Sequence, residues 1–391
     1  MLEFLKNSLD KGFKTGILLT DLSKAFDSIS HDLLIAKLNA YGFSNNALNL
    51  IFNYLTGRNQ RTKVSESFSS WRDILYGVPQ GSTLGPLLFN IYINDLFLFS
   101  EEFNIANYAD YCSPFAFSDS MEDVICKLEN DSLILIDWYH NNYLKPNPEK
   151  WHLLLSENDN NLNINVDNQC IHNGSCQKIL GVHFDNNLNF NIHVSKLCKQ
   201  AGQKLHALSR ISSFMNESQK KLIMNAFITS HFNYCPLVWM CHNRSLNAKI
   251  NKIHERALRM VYNDNRSSFA ELLEKSGAVS IHHRNLQQLA TEIYKALNNL
   301  SSSLMSELFK VKETPYALRG CDRLICNNIK TTRYGSESIK FLASKIWELV
   351  PHEIKNSSCL AIFKRKIKHW IPIQCPCKLC KTYIPNLGFL E

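Results

Sequence analysis

The first half of the chain alternates short apolar runs with segments of helical period. GILLTDL (16–22) is a continuous apolar run ending at Asp21 and predicts a buried strand. LLIAKLNAYGF predicts a short amphipathic helix stopped at Gly42, and Ser44 is placed to cap the next helix, which ends at Gly57. RNQRTKV and WRDILYGV have the apolar–polar alternation of hairpin strands. LGPLLFNIYINDLFLF is apolar nearly all round and predicts one buried helix. NYADYCSPFAF (107–117) reads as strand, turn and strand, with Asp110 at the turn. Residues 120–144 predict a long helix with Met121, Val124, Leu128, Leu135 and Tyr139 near one face, and KWHLLLS, NINV and QKILGVHFD read as further strands.

After about residue 188 the helical period takes over. Leu246, Ile250, Ile253, Ala257 and Val261 line one face of a helix that carries Lys249, Lys252, Arg256 and Arg259 elsewhere. Further helices are predicted over 189–212, 217–231, 280–299, 336–350 and 358–371, and the pattern-poor stretch 300–335 reads as a linker or long loop. His282-His283-Arg284 reads as part of a basic helix rather than a metal site.

Composition narrows the class. The 391 residues suffice for two or three domains, and 45% apolar with 20% charged residues is ordinary for a globular protein. No apolar run approaches the ~20 residues of a membrane span, and the first residues lack a signal peptide's apolar core. Thirteen cysteines without a secretory signal point to reduced thiols inside the cell, in nucleus or cytoplasm. Charge divides the chain: residues 1–185 hold 13 Lys and Arg against 22 Asp and Glu, a net of −9, and residues 186–391 hold 30 against 13, a net of +17. This suits metal ions in one half and a polyanion in the other; it equally suits two solvated surfaces of opposite sign.

Four stretches then occur in a fixed order: LLTDLSKAFDSISHDLL, YGVPQGSTLGPLLFNIYINDL, NYADY, and LKPNPEKWHLLLS with KILGVHFD. Together they resemble the reverse transcriptases of non-LTR, LINE-like retrotransposons over residues 1 to roughly 190. The resemblance implies an α+β fold: a polymerase-type palm, an antiparallel sheet with packed helices, over 1–188. It would be followed by a helical thumb-like region (189–300) and a C-terminal helical region with a cysteine-rich tail (301–391). It implies RNA-directed DNA synthesis from an RNA template, a DNA primer and deoxynucleoside triphosphates, and no membrane partner. Two Mg²⁺ ions would be held by Asp21, Asp110 and the backbone carbonyl of Leu22, one ion activating the primer hydroxyl and one holding the triphosphate.

By the same resemblance Phe26 would lie beneath the sugar and disfavour a 2′-hydroxyl. Pro79, Gln80 and Gly81 would contact the template base and incoming nucleotide. Lys150 would protonate the leaving pyrophosphate, and Leu180, Gly181 and Val182 would form the primer grip. Taken singly, Phe26 is as readily a core aromatic, Pro-Gln-Gly merely a turn, Lys150 a surface lysine, and Leu-Gly-Val a strand with a tight crossing. The basic helices, with Lys196, Lys199, Lys204, Arg210, Lys220, Lys221, Arg256 and Arg259, would track phosphates, or are solvated faces of a structural bundle.

Two departures stand out. The family's turn reads Tyr-Ala-Asp-Asp, and here the second aspartate is Tyr111, which is neutral at pH 7. The chain also begins only twenty residues before Asp21, leaving no room for the family's fingers region or endonuclease domain, as in an N-terminally truncated copy. The expectation is a polymerase with little or no activity by itself, or a non-catalytic nucleic-acid-binding or interaction protein on the same scaffold. In the tail, Cys375, Cys377 and Cys380 with His369 have the ligand types of a Zn²⁺ site, or are reduced terminal thiols.

Overall fold

The computed structural model describes residues 1–99, 103–312, 323–326 and 328–372. They divide into two compact units, one spanning Gly12–Gln177 and the other combining Leu2–Lys11 with the chain from Lys178 onward.

The first unit is built on a four-stranded antiparallel sheet: β1 (Lys14–Leu19), β2 (Asn104–Tyr108), β3 (Tyr111–Ser118) and β4 (His152–Leu155), in the order β2-β3-β1-β4. The register pairs Ile17 with Phe115 and with Leu154, so β1 is central and its apolar run is buried. The helix Met121–Asn141 packs on this sheet. Met121, Val124, Leu128, Leu135 and Tyr139 are all buried, as their spacing predicts. Ser30 and Ser44 cap the helices His31–Ala40 and Asn45–Leu55 by accepting from the N–H groups of Leu33 and Ala47.

One buried cation ties three helices of this unit together. Lys37, 11% exposed, donates to the Tyr92 carbonyl (2.7 Å), Asp95 Oδ1 (2.8 Å) and Asn142 Oδ1 (2.5 Å). Its ammonium also lies over the rings of Tyr92 and Trp138. Burial lowers its pKa, and Asp95 opposes that shift.

Some elements differ from their sequence reading. β1 begins at Lys14 and ends at Leu19, before Asp21. LGPLLFNIYINDLFLF forms two helices, Gly85–Ile93 and Leu96–Phe99, and is not buried all round, since Leu87, Phe97, Leu98 and Phe99 are exposed. QKILGVHFD is two strands, Cys176–Ile179 and Val182–Asp185, turned at Leu180 (φ 44°) and Gly181 (φ 84°). At Leu180 and Gly181 the left-handed backbone interrupts an apolar run that periodicity alone reads as continuous.

The second unit is mostly helical. Its long helices are Asn191–Ile211, Arg244–Tyr262 and Ile281–Leu297, with Ile339–Leu349 and Leu360–Ile367 following. Leu286, Leu289, Ile293, Ile346, Trp347 and Phe363 belong to one core of this unit, where Tyr294 stacks on Phe363 at 4.2 Å. The N-terminal helix Leu2–Lys11 belongs here because its carboxylates cap distant backbone. Glu3 accepts from the N–H groups of Ile339 and Lys340, and Asp10 from those of Lys330 and Thr331. The stretch read as linker or loop holds one more helix, Ser303–Leu308.

The buried face of Arg244–Tyr262 is more polar than its spacing suggests, for Asn247, Asn251 and His254 are buried beside the predicted leucine, isoleucine, alanine and valine, while Ile253 is half-buried. Three buried histidines of this unit have lowered pKa values. Burial brings His193 and His242 to about 4 and His254 to about 3, with Lys196 and His183 adding to the shift at His193 and Arg284 at His254. Neutral imidazole is therefore the folded form, and the unfolded chain binds more protons below the ordinary value near 6.5. The second unit's stability should be full above that value and fall as pH drops toward 4. The expected loss between pH 7 and pH 5 is on the order of 5 kcal/mol, read as a lower urea midpoint; an unchanged midpoint would refute the neutral-histidine assignment.

Candidate active site

The sheet brings the two sequence-predicted carboxylates to one edge. Tyr108 pairs with Tyr111 across a two-residue turn of Ala109 and Asp110, and Ala109 is held at φ 52°, a left-handed conformation that an L-residue adopts only under constraint. Beside it, the chain leaving β1 is pinned to β3 at Thr20. Its N–H donates to the Cys112 carbonyl at 3.0 Å and its hydroxyl to the same oxygen at 2.8 Å. Asp21 is one residue beyond this pin and Asp110 two residues before it.

Beneath the pin lies a neutral floor. The Tyr139 hydroxyl is 3.4 Å from the Thr20 hydroxyl, and burial, reinforced by Cys112 and by the charge of Asp110, holds its pKa well above the ordinary range. Burial likewise pushes the Cys112 thiol up to about 12. Both groups stay protonated, so the negative charge at this edge is that of the two aspartates.

Asp21 is fixed from its other side as well. Its carbonyl accepts from the Asn147 N–H (3.0 Å) and the Trp151 indole N–H (3.1 Å). Leu22 forms a bridge with Pro146 made by the Asp21 carbonyl and the Ser23 N–H, in which the carbonyl of Leu22 itself takes no part. Lys150, in the short turn Pro148–Lys150, sets its ammonium 3.5 Å from Asp21 Oδ2.

The Pro79-Gln80-Gly81 segment is locked to the segment after Asp21. Gly77 N–H donates to the Ile29 carbonyl (2.8 Å), Val78 N–H to the Phe26 carbonyl (3.0 Å), and the Gln80 amide to Asp27 Oδ1 (2.8 Å). A His31 ring nitrogen lies 2.7 Å from the Gly77 carbonyl. Phe26 is half-buried and stacks on Phe89 of the following helix, with ring centroids 4.4 Å apart. Phe26, Pro79, Gln80 and Gly81, far apart in sequence, thus form one cluster. Sequence reading gave no role to Asp27, His31, Gly77, Asn147 and Trp151, which hold the cluster and Asp21 in place. All five lie inside the quoted motifs, and one signal was there in a glycine two residues before Pro79.

The residues fit divalent cations in a limited way. Among the described residues no group of three or more His, Cys, Asp or Glu side chains is arranged to hold a metal. Tyr111, where the resemblance expects an acid, is 53% exposed and neutral. Two carboxylates nevertheless suit Mg²⁺, which is usually bound through one or two such groups while substrate phosphates and water supply the rest.

The remaining predicted residues lie in the second unit. Leu180 and Gly181 form a turn rather than a strand, with Val182 opening the next strand, and the Leu180 carbonyl accepts from the Tyr234 hydroxyl at 2.6 Å. Lys199, Lys204, Arg210 and Arg256 are exposed on their helices. Lys220, by contrast, is buried and donates to Asn263, and Arg259 and Lys221 pair with Glu255 and Glu217, so these three are committed within the fold. His369 is exposed, and Cys375, Cys377 and Cys380 lie outside the described residues. No helix among the described residues is long and apolar enough to cross a membrane.

Comparison with known proteins bears on the family of the chain. Residues 3–184 match the family model described as reverse transcriptase (RNA-dependent DNA polymerase). The chain is 26% identical over 266 residues to the probable RNA-directed DNA polymerase from transposon BS of Drosophila melanogaster, covering 64% of this chain and 29% of that protein. It is 26% identical over 217 residues to the RNA-directed DNA polymerase from mobile element jockey of the same fly, covering 53% and 23%. It therefore spans less than a third of these relatives. Apo telomerase from Candida tropicalis is a looser structural likeness, at 11% identity, TM-score 0.39 and coverage of 70% and 46%, and bears no weight. Residues 3–184 are a reverse transcriptase domain, and the chain that carries it is similar to the RNA-directed DNA polymerases of non-LTR retrotransposons.

Proposed function

We propose that this chain carries the nucleotidyl-transfer centre of an RNA-directed DNA polymerase, copying an RNA template from a DNA primer with deoxynucleoside triphosphates, and that Tyr111 impairs it. The observation that carries the reading is the Thr20–Cys112 pin, which sets Asp21 and Asp110 at one sheet edge beside Lys150 and the Phe26–Gln80 cluster. Asp21 and Asp110, with the Leu22 carbonyl, would hold two Mg²⁺ ions, which supply an activated primer hydroxyl and charge neutralisation at the triphosphate. Phe26, braced by Phe89, would lie beneath the incoming sugar and disfavour a 2′-hydroxyl. The Pro79–Gly81 segment, tied through Gln80 to Asp27, positions the base. Lys150 holds a proton at Nζ for the departing pyrophosphate.

Tyr111 supports the impairment. A phenol at that place contributes no negative charge toward two dications, and the neutral floor of Tyr139 and Cys112 offers no substitute. The exposed lysines and arginines of the second unit support contact with the phosphate backbone, which makes binding salt-dependent. Thirteen cysteines, read as reduced thiols, favour work in a reducing intracellular compartment.

Primer extension on an RNA template with Mg²⁺ or Mn²⁺ tests the reading. The chain as it stands is expected to extend poorly, and Tyr111→Asp to extend at least about tenfold faster, a factor equal to ~1.4 kcal/mol of added transition-state stabilisation. Robust extension by the unaltered chain would refute the impairment. Failure of Tyr111→Asp to extend, even with a fingers fragment supplied in trans, would favour a non-catalytic nucleic-acid-binding role.

A further inference from the structure

Between the helix Asn45–Leu55 and Gly77 the first unit extends an arm that buries nothing. Residues 57–73 are exposed without a break. The arm is an antiparallel hairpin, Asn59–Gln60 pairing with Arg72–Asp73 at its base and Lys63–Val64 with Ser67–Phe68 at its tip, turned at Ser65. Since it contributes no core, its composition is not explained by packing. Half or more of Phe68 and Trp71 is open to solvent.

The register gathers a specific set of side chains on one face. Lys63 is directly opposite Phe68, and Arg61 is two residues from Lys63 and so on the same side of its strand. The Arg61 guanidinium lies 4.0 Å from the centroid of Phe68 and 4.6 Å from that of Trp71, and the Lys63 ammonium 5.3 Å from Phe68. At the base Arg58 lies 4.9 Å from the Tyr54 ring centroid. Each cation is held against an aromatic ring by cation–π attraction, which orders long side chains that solvent would otherwise leave mobile. The acids of the arm, Glu66 and Asp73, are at its tip and base and not among these contacts.

We propose that this face is a stacking platform for single-stranded nucleic acid. Fixed cations answer a chain of phosphates, and exposed rings answer bases whose π-faces are free. A duplex satisfies only the first requirement, because its bases are already stacked on one another. A protein partner is matched less well, because interfaces place aromatics in a core depleted of charge, whereas here every ring of the face carries a cation. The inference rests on the template-copying reading above and adds where an unpaired strand is gripped.

The test is fluorescence anisotropy of the full chain with a labelled 12-nucleotide oligo(U), beside a labelled duplex of the same length. The paired substitution Phe68→Ala with Trp71→Ala is expected to weaken oligo(U) binding about 10- to 100-fold and duplex binding less than about threefold. Trp71→Phe, which keeps a ring, should stay within about threefold of the unaltered chain. Arg61→Gln with Lys63→Gln should lower the slope of log affinity against log salt by about 1.4, two phosphate contacts' worth for a single strand. Unaltered oligo(U) affinity in the ring variant, equal loss for strand and duplex, or an unaltered slope in the charge variant would overturn the proposal. All of these residues are exposed, so the variants should keep the unfolding midpoint; a ring variant that unfolds would show the rings to be structural and would overturn it too. Manganese–triphosphate binding measured on the same samples separates the readings. Its failure in the unaltered chain sinks the polymerase centre alone, and oligo(U) indifference beside intact manganese binding sinks the platform alone.

Discussion

Replacing Gly77 with alanine should cost the first unit about 3 kcal/mol and loosen its nucleotide-side cluster. Gly77 sits at φ 87°, and a Cβ there would come within 2.7 Å of the Asp27 Cα and 2.9 Å of its carbonyl oxygen. The neighbour is backbone and cannot swing aside, so the clash adds overpacking of ~1–3 kcal/mol to the ~1 kcal/mol cost of left-handed conformation in an L-residue. Relief requires the two segments to part, which strains the bonds from Gly77 to Ile29, from Val78 to Phe26, and from Gln80 to Asp27. Gly81→Ala is the control four residues on. It has a similar φ of 79°, but a Cβ there would meet nothing within 4 Å, so only the conformational cost of ~1 kcal/mol remains. Urea midpoints of the two variants check this. A Gly77→Ala loss no greater than that of Gly81→Ala would mean that the two segments are not in the contact described.

How much of this was legible in the sequence depends on the kind of information each feature needs. The Asp110 turn was legible because a hairpin is local: alternation on both sides of Ala109-Asp110 fixes it. The helix 121–141 was legible because its buried positions repeat at helical period. Caps at Ser30 and Ser44 precede their helices directly, and Ser44 could be named in advance. The break of LGPLLFNIYINDLFLF into two helices was not legible, since its apolar residues mask which face is buried. Nor was the turn at Leu180, an apolar residue in a left-handed conformation that no propensity favours. Lys220 carries the same charge as Lys199, and only tertiary contacts tell that one is buried on Asn263 and the other faces water.

The candidate site divides in the same way. Ordered motifs pointed to Asp21, Asp110, Phe26, Gln80 and Lys150, but motif order gives no contacts. That Gln80 bonds Asp27, that Phe26 stacks on Phe89, and that the Asp21 carbonyl is held by Asn147 and Trp151 are long-range facts of the fold. So is the Thr20 pin, whose two bonds to one carbonyl join residues that are 92 apart in the chain. The arm at 59–73 was read only as hairpin strands, because nothing in its alternation tells that neither face is buried.

The central claim is that Asp21 and Asp110 act as one cation-binding pair. Each carboxylate supplies a full negative charge and hard oxygen ligands, whereas asparagine of the same shape offers one neutral carbonyl. Replacing either should therefore remove more than a single ligand bond, because the remaining acid must then balance two dications with the triphosphate alone. The effect expected of each substitution is a loss of at least about tenfold in cation affinity, or ~1.4 kcal/mol. The direct measurement is Mn²⁺ binding followed by electron paramagnetic resonance in the presence of a deoxynucleoside triphosphate, on the unaltered chain, Asp21→Asn and Asp110→Asn. Binding that needs the triphosphate, and that each substitution weakens to that extent, is the predicted result. Equal Mn²⁺ affinity in all three proteins would contradict it.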